Sequence, residues 1–290
     1  MAARPKLRTH RIAGGGGTGL HVVETGPAEA PAILLIHGWS QHHLSWSKQL
    51  AGPLADEFRL VALDLRGHGA SEKPDEPEAY QRAEGWAGDI AAILEALALE
   101  RPVLVGWSMG GRVVGDYLTL HGEAAIAGVV LVGSGLRFGA HADPAVVAAR
   151  KPDVQAEGTY SEDQRAQLDA AIGFLRASTG APLSKRDLAF HVGAMMFCPP
   201  HIRRACRVRD GDYRAAYAAL TRPALVVQGG AERVCLPPMF EETAATMPQA
   251  ERLVLPGTGH MPFWEAPERF DAALAAFARK AHGTEKGVPA

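Results

Sequence analysis

The stretch Gly106-Trp107-Ser108-Met109-Gly110-Gly111 constrains this chain more than any other. An apolar run, Pro102-Val103-Leu104-Val105, leads into it, and a helical pattern, Arg112, Val113, Val114, Tyr117 and Leu118, leads out. Strand, then Gly-x-Ser-x-Gly, then helix is the setting in which so short a pattern reads as a nucleophile elbow. The turn is so tight that side chains at positions 106 and 110 would clash, and glycine removes the Cβ. Ser108 then projects from the carboxyl end of a strand. The helix N-terminus behind it offers unpaired N–H groups, which suit a developing oxyanion. By itself the pattern is weak in a chain with 32 glycines. The bland alternative is a glycine-rich βα turn with an ordinary serine, so the rest of the chain has to decide.

The flanking sequence alternates strand and helix. The segment up to about Thr25 reads as one or two edge strands joined by the Gly14–Gly17 turn, with strand content in Leu20–Thr25. Pro31-Ala32-Ile33-Leu34-Leu35-Ile36 is a continuous apolar run, as expected of a strand covered on both faces. A helical stretch near Leu44 to Ala55 and a strand from Phe58 to Leu63 follow. Next comes a helix from about Ala83 to Ala98, whose Trp86, Ile90, Ile93, Leu94 and Leu97 repeat at helical spacing. After the elbow come a strand at Val129–Val132, a strand at Pro223–Gln228, a helix near Met239 to Thr246, a strand at Arg252–Leu255 and a last helix from about Pro267 to Ala281. This order predicts an α/β fold with a mostly parallel, doubly wound sheet. The stretch from about Leu136 to Ala219 breaks the rhythm. It is helix-rich, without a convincing buried strand. It reads as a helical cap, residues 136–219, inserted between two sheet strands of a core formed by 1–135 and 220–290. Beyond Gly283 the tail is polar and reads as frayed.

Composition narrows the function classes. The chain has 290 residues, 47% of them hydrophobic and 21% charged, which suits one large globular domain or a domain with an insertion. Lys and Arg number 30 against 32 Asp and Glu, a net charge of −2 that argues against a nucleic-acid partner. No stretch approaches the ~18 uninterrupted apolar residues of a membrane span. The basic start, Met1 to Arg11, is followed by Gly14–Gly17 rather than an apolar core, so no signal peptide is read. Cys198, Cys206 and Cys235 are odd in number and lack metal-type spacing. They predict a reduced, cytoplasmic protein with buried thiols, in preference to a Cys198–Cys206 pair.

Four signals fall at strand ends in one order: His37-Gly38-Trp39, Asp64-Leu65-Arg66-Gly67-His68-Gly69-Ala70-Ser71, Gly106-Trp107-Ser108-Met109-Gly110, and Gly257-Thr258-Gly259-His260. Together they make the chain resemble the α/β-hydrolase fold superfamily, specifically its lid-bearing serine carboxylesterases, from about His21 to Ala281. The resemblance implies a triad in the chain order serine, acid, histidine. A serine hydroxyl needs an adjacent base, and the base needs an orienting acid. Ser108 matches the nucleophile and His260 the base. Glu232, a few residues after the strand ending at Gln228, occupies the acid position. The family usually has Asp there, and the role tolerates Glu, since it only holds the imidazole tautomer and stabilises its cation. Asp143, after the preceding strand, is the alternative acid. The oxyanion hole is expected from the backbone N–H groups of Met109 and, by resemblance, Trp39. His37 is expected to orient that loop, and Asp64, Arg66 and Ser71 to support it. Trp107, Phe138, Met195, Met196 and Phe197 are candidates to line an apolar substrate pocket under the cap.

The resemblance implies hydrolysis of carboxylic esters of small to medium, largely apolar substrates through an acyl-enzyme. It requires no cofactor and no metal, and the expected partner is a small-molecule ester, with the protein a monomer or homodimer. Serine at 108 argues against the dehalogenases and epoxide hydrolases of this fold, which use an aspartate nucleophile. Carbon–carbon bond hydrolysis, lactonase and perhydrolase chemistry share the same triad and stay open, as does a non-catalytic ligand binder.

Overall fold

The computed structural model describes residues 7–149 and 157–284. Residues 285–290, on which most of the polar-tail reading falls, lie outside the described residues, as does the start of the basic segment before Leu7. Eight strands form the central sheet: β1 (Arg8–Ala13), β2 (Gly19–Thr25), β3 (Ala32–Ile36), β4 (Arg59–Asp64), β5 (Val103–Trp107), β6 (Gly128–Val132), β7 (Ala224–Gly229) and β8 (Glu251–Leu255). Their spatial order is β1-β2-β4-β3-β5-β6-β7-β8. β1 and β2 form an antiparallel hairpin through the Gly14–Gly17 turn, and β2 runs antiparallel to β4. Every other neighbouring pair is parallel. The sequence reads the segment of β1 and β2 as one or two edge strands. In the structure only β1 is at the edge, because β2 also pairs with β4.

The continuous apolar runs are explained by two-sided burial. Side chains alternate across a strand, and here both faces are covered. Leu34, Ile36, Val61, Leu63, Leu104, Val129 and Leu131 pack into one apolar cluster with Ile90, Ile93, Val113 and Val114. Ile33, Leu35, Leu60, Ala62, Val103, Val105, Val130 and Val132 pack into another with Trp46, Phe270, Leu274 and Phe277. The first cluster lies under helices α1 (Ala83–Ala96) and α2 (Met109–His121). Further along the chain come α3 (Gln164–Ser178), α4 (Lys185–Met196), α5 (Pro200–Arg207), α6 (Pro237–Thr246) and α7 (Pro267–His282). Gly283 ends α7 in the left-handed conformation, φ 66°, which glycine adopts without a Cβ penalty.

Two details differ from the sequence reading. The stretch near Leu44 to Ala55 is not one helix. It is a 3₁₀ turn at His43–Trp46 and two single turns, Ser47–Leu50 and Leu54–Glu57, interrupted at Gly52-Pro53, where proline supplies no N–H. The segment between β6 and β7 holds α3, α4 and α5, but also a two-residue antiparallel ribbon in which Arg137–Phe138 pairs with Gly211–Asp212. So short a ribbon carries no hydrophobic period to read. It brings the two ends of the segment together beside α2.

Candidate active site

Ser108 sits at the junction of β5 and α2 with φ 52° and ψ −113°, a region that non-glycine residues seldom occupy. The surrounding glycines explain how that geometry is held. A Cβ on Gly106 would lie 2.6 Å from the Gly111 nitrogen, and one on Gly110 would lie 2.4 Å from the Ile36 carbonyl oxygen. β5 and α2 therefore approach each other, and β3, more closely than any side chain permits. The Ser108 N–H donates to the Val132 carbonyl at 2.9 Å, and the Ser134 hydroxyl donates to the Ser108 carbonyl at 2.9 Å. Ser134 does not stand out in the sequence as a support of the elbow, since its role comes from β6 lying beside β5.

His260 follows β8 in a glycine-rich loop and is 1% exposed. Its N–H donates to the Ser178 carbonyl at 2.7 Å, and the Trp107 indole N–H donates to its carbonyl at 2.8 Å. Its Nδ1 is 2.8 Å from Glu232 Oε2. A carboxylate only accepts, so the proton of the neutral ring belongs on Nδ1 and Nε2 carries the lone pair. Nε2 is buried and has no hydrogen-bond partner among the described residues. Glu232, 7% exposed, folds its longer side chain back over its own loop. Its Oε1 accepts from the N–H groups of Arg233 (2.9 Å), Val234 (2.8 Å) and Cys235 (3.2 Å). Both carboxylate oxygens are thus committed, and the extra methylene of Glu is absorbed by the turn after β7. Gly133 makes room for the pair: a Cβ there would lie 2.8 Å from His260 Nδ1 and 3.1 Å from Glu232 Oε2. Asp143 is elsewhere. It accepts from the Ala145 N–H at 2.8 Å and faces Arg137 at 3.6 Å near the surface.

The first loop is held by two neutral histidines. His37 Nδ1–H donates to the Gly38 carbonyl at 2.7 Å, while its Nε2 accepts from the Leu65 N–H at 3.0 Å. His68 Nδ1–H donates to the Arg66 carbonyl at 2.9 Å, while its Nε2 accepts from the Ser40 N–H at 3.1 Å. Both rings thus use one nitrogen as donor and one as acceptor, which only the neutral form can do. Burial pushes His37 well below its ordinary range and His68 down to about 4. Ser40 has φ 59°, so the chain turns sharply just after Trp39. Met109 is the first residue of α2, and its N–H has no intrahelical acceptor. Beneath the loop, Asp64 Oδ1 accepts from the His43 N–H and Nδ1, and Oδ2 accepts from His21 Nδ1 and the Ala70 N–H. Burial alone would raise this carboxyl, but the hydrogen bonds from His21 and His43 hold it well below the carboxylate range. His21, His43 and Asp64 form a group compact enough to hold a metal ion, although the Asp64 oxygens are already fully hydrogen-bonded. Arg66 donates to both oxygens of Asp89 at 2.7 and 2.6 Å.

Ser108 and His260 line one cavity, together with Gly38, Trp39, Trp107, Met109, Arg112, Tyr160, Phe174, Cys206, Arg207, Val234 and Cys235. Of the pocket candidates named from sequence, Trp107 is there and four are not. Phe138 packs beside Tyr213, with the Arg112 guanidinium 4.1 Å from its ring centroid. Met195, 1% exposed, belongs to the core cluster beneath. Met196 is half-buried against the same cluster, and Phe197 is 60% exposed with its edge toward His42. An apolar side chain reads alike in a core, on a surface and in a pocket, and only the packing of the inserted helices separates these. Tyr160 and Phe174, neither named from sequence as a pocket residue, line the cavity instead, both against Trp39. The Trp39 indole donates to the Arg203 carbonyl at 3.2 Å. None of the three cysteines forms a disulfide, and all three are buried. Burial raises the Cys206 thiol well above its usual range, so it stays protonated beside the serine.

The alpha/beta hydrolase fold family matches residues 31–267. The chain belongs to that family. Among α/β hydrolases of known structure, esterase RhEst1 from Rhodococcus sp. ECU1013 is 31% identical with a TM-score of 0.87, over 94% of this chain and 99% of that one. The enol-lactonase from Burkholderia xenovorans LB400 is 26% identical with a TM-score of 0.77, over 92% and 99%. In sequence, the pimeloyl-[acyl-carrier protein] methyl ester esterase of Xanthomonas campestris pv. campestris (strain B100) is 30% identical over 262 residues, 84% of this chain and 96% of the relative. These likenesses support hydrolase activity for this α/β hydrolase. Among its described residues no helix is long and apolar enough to cross a membrane.

Proposed function

We propose that this hydrolase cleaves carboxylic esters with Ser108 as nucleophile, His260 as general base and acid, and Glu232 as the carboxylate that orients the imidazole. The observation that carries the reading is the 2.8 Å contact between His260 Nδ1 and Glu232 Oε2, with His260 and Ser108 on the wall of one cavity. His260 Nε2 takes the hydroxyl proton as Ser108 Oγ bonds to the ester carbonyl carbon, and the carbonyl electron pair moves to oxygen. The N–H groups of Met109 and Trp39 hold that oxyanion. Collapse of the intermediate breaks the bond to the alcohol, which leaves with the proton from His260. Water, deprotonated by His260, then attacks the acyl-enzyme and releases the acid and free Ser108. The helical segment 136–219 serves as the cap, supplying Tyr160, Phe174, Cys206 and Arg207 to the cavity. The same reading takes the protein to act on soluble esters in the cytoplasm, without a cofactor. The esterase relatives and the buried reduced thiols support it.

The test is hydrolysis of p-nitrophenyl acetate, butyrate and octanoate by wild type and Ser108→Ala. The expected result is turnover by wild type, with a preference along the series, and a loss of about 10³-fold or more in the variant. Equal turnover by the two proteins would exclude Ser108 as the nucleophile.

A further inference from the structure

Outside the serine's cavity, His21, His43 and Asp64 meet at the carboxyl end of β4. The sheet register sets two of them opposite one another, since His21 of β2 is the cross-strand partner of Asp64. His43 opens the 3₁₀ turn that follows the first loop, and its N–H donates to Asp64 Oδ1 at 2.7 Å. One nitrogen of each ring converges on the same carboxylate: His43 Nδ1 is 2.8 Å from Oδ1, and His21 Nδ1 is 3.0 Å from Oδ2. One potential ligand atom from each of the three side chains lies within 4.8 Å of the other two. The Asp64 side chain is 1% exposed and the two imidazoles 14% each, so the rings and not the carboxylate meet solvent.

Asp64 is answered differently from Asp89 and Asp116, which are as deeply buried. Asp89 pairs with Arg66 at 2.6 Å and Asp116 with Arg209 at 2.7 Å, each a fixed positive charge. Among the described residues no lysine or arginine forms an ion pair with Asp64. Each of its oxygens has one main-chain donor, the N–H of His43 or of Ala70, and one imidazole donor. A metal ion can take the place of the two imidazole protons and leave both main-chain bonds to orient the carboxylate. The proton of each ring then moves from Nδ1 to Nε2, and the Nδ1 lone pair binds the metal. Neighbouring ligands at zinc-like distances lie about 2.9–3.4 Å apart, so the separations of 2.8 and 3.0 Å already present fit such an ion with little movement. We infer that His21, His43 and Asp64 form a site for one divalent first-row cation, zinc foremost, held by two imidazole nitrogens and the carboxylate, with water completing its shell. Imidazole ligands suit zinc and its neighbours, whereas magnesium and calcium take oxygen donors. The bound ion cross-links β2, the 3₁₀ turn and β4. Its role is to stabilise the fold, apart from ester cleavage.

The experiment is calorimetric titration of the chelator-treated, dialysed protein with zinc chloride at about pH 7.5, where imidazole nitrogens are free to ligate, beside the same titration with magnesium chloride. One equivalent of zinc is expected to bind, and magnesium is not. His21→Gln and His43→Gln should each weaken zinc binding by about 100-fold or more. His201→Gln, which removes an exposed histidine from α5, should leave it unchanged. Zinc at about 100 times its Kd should raise the thermal midpoint of the wild type by about 5 °C, and that of the His21 and His43 variants by less than about 1 °C. Anomalous scattering at the zinc edge from crystals of the wild type gives a readout that needs no variant to fold: a peak between the three side chains is expected. Absence of zinc binding, binding that survives both substitutions, magnesium bound as tightly as zinc, or a zinc peak only elsewhere would each overturn the inference.

Discussion

At the scale of single residues, the site depends on places where a side chain is absent or confined. Ser108 occupies a backbone region that costs of the order of 1–3 kcal/mol, and the structure holds it there by closing Gly106 and Gly110 against neighbouring backbone. Gly133 performs the matching service for the imidazole and carboxylate. Its φ of 51° and the 2.8 Å approach to His260 Nδ1 both exclude a methyl group. Gly133→Ala should lower kcat on p-nitrophenyl butyrate by about 10-fold or more, and stability by about 1–2 kcal/mol, read from steady-state rates and a urea midpoint. Glu232→Gln keeps the shape of the acid but makes the oxygen facing His260 neutral. It should reduce kcat by about 10²- to 10⁴-fold. Asp143→Asn, near the surface against Arg137, should stay within about 2-fold of wild type. A comparable loss in Asp143→Asn would place the acid after β6 instead.

At the scale of elements, the inserted segment is pinned to α2 by a buried polar cluster. Arg209 Nη2 contacts both oxygens of Asp116 at 2.7 and 2.8 Å, and the Tyr213 hydroxyl donates to the same carboxylate at 2.5 Å. Burial raises the Asp116 carboxyl, and the hydrogen bonds from Arg209 and Tyr213 oppose that rise. Removing the cation leaves a carboxylate in the interior without compensation, the case in which breaking a buried pair is costly. Arg209→Met should destabilise the protein by about 3–5 kcal/mol, measured by urea unfolding. Tyr213→Phe, which removes one hydrogen bond, should cost about 1–3 kcal/mol. If Arg209→Met proves neutral, the cluster is not what holds the segment to α2.

At the scale of the whole molecule, acid sensitivity follows from the histidines. Burial lowers His37 well below its ordinary range and His42, His68 and His191 to about 4. The fold therefore favours the neutral rings, and as pH falls below about 6.5 the unfolded chain takes up protons first. The histidine contribution is complete above that pH and is lost progressively toward about 4, by roughly 1.4 kcal/mol per histidine per pH unit, whereas Asp271, raised by burial to about 6, works in the opposite sense between about 6 and 4 and offsets one histidine. Asp64, held below the usual range, adds its loss only at still lower pH. Thermal unfolding followed from about pH 7.5 to about pH 4.5 should show a midpoint that drops steadily below about pH 6.5. A flat midpoint across that interval would contradict the neutral assignment of these rings.

What the sequence by itself determined is what short-range sterics and periodicity encode. Two-sided apolar runs mark the parallel strands. A glycine spacing that only a tight strand-to-helix turn requires marks Ser108. The resemblance to the α/β hydrolases, and not sterics or periodicity, points to Glu232 and His260 in the loops after the last two strands, and the structure brings these two within 2.8 Å. What only the tertiary structure decided is everything that depends on how one helix lies on another. The packing of α3, α4, α5 and the 3₁₀ turn Glu157–Tyr160 puts Tyr160, Phe174, Cys206 and Arg207 on the wall of the serine's cavity and leaves Met195 in the core and Phe197 in solvent. Phe138 packs against the Arg112 guanidinium and does not line the cavity. The physical reason is that burial acts on apolar area without direction, so the same methionine or phenylalanine satisfies it in a core or a cleft. A glycine under a 2.4 Å contact, or a histidine with one nitrogen donating and the other accepting, has a single place where it fits.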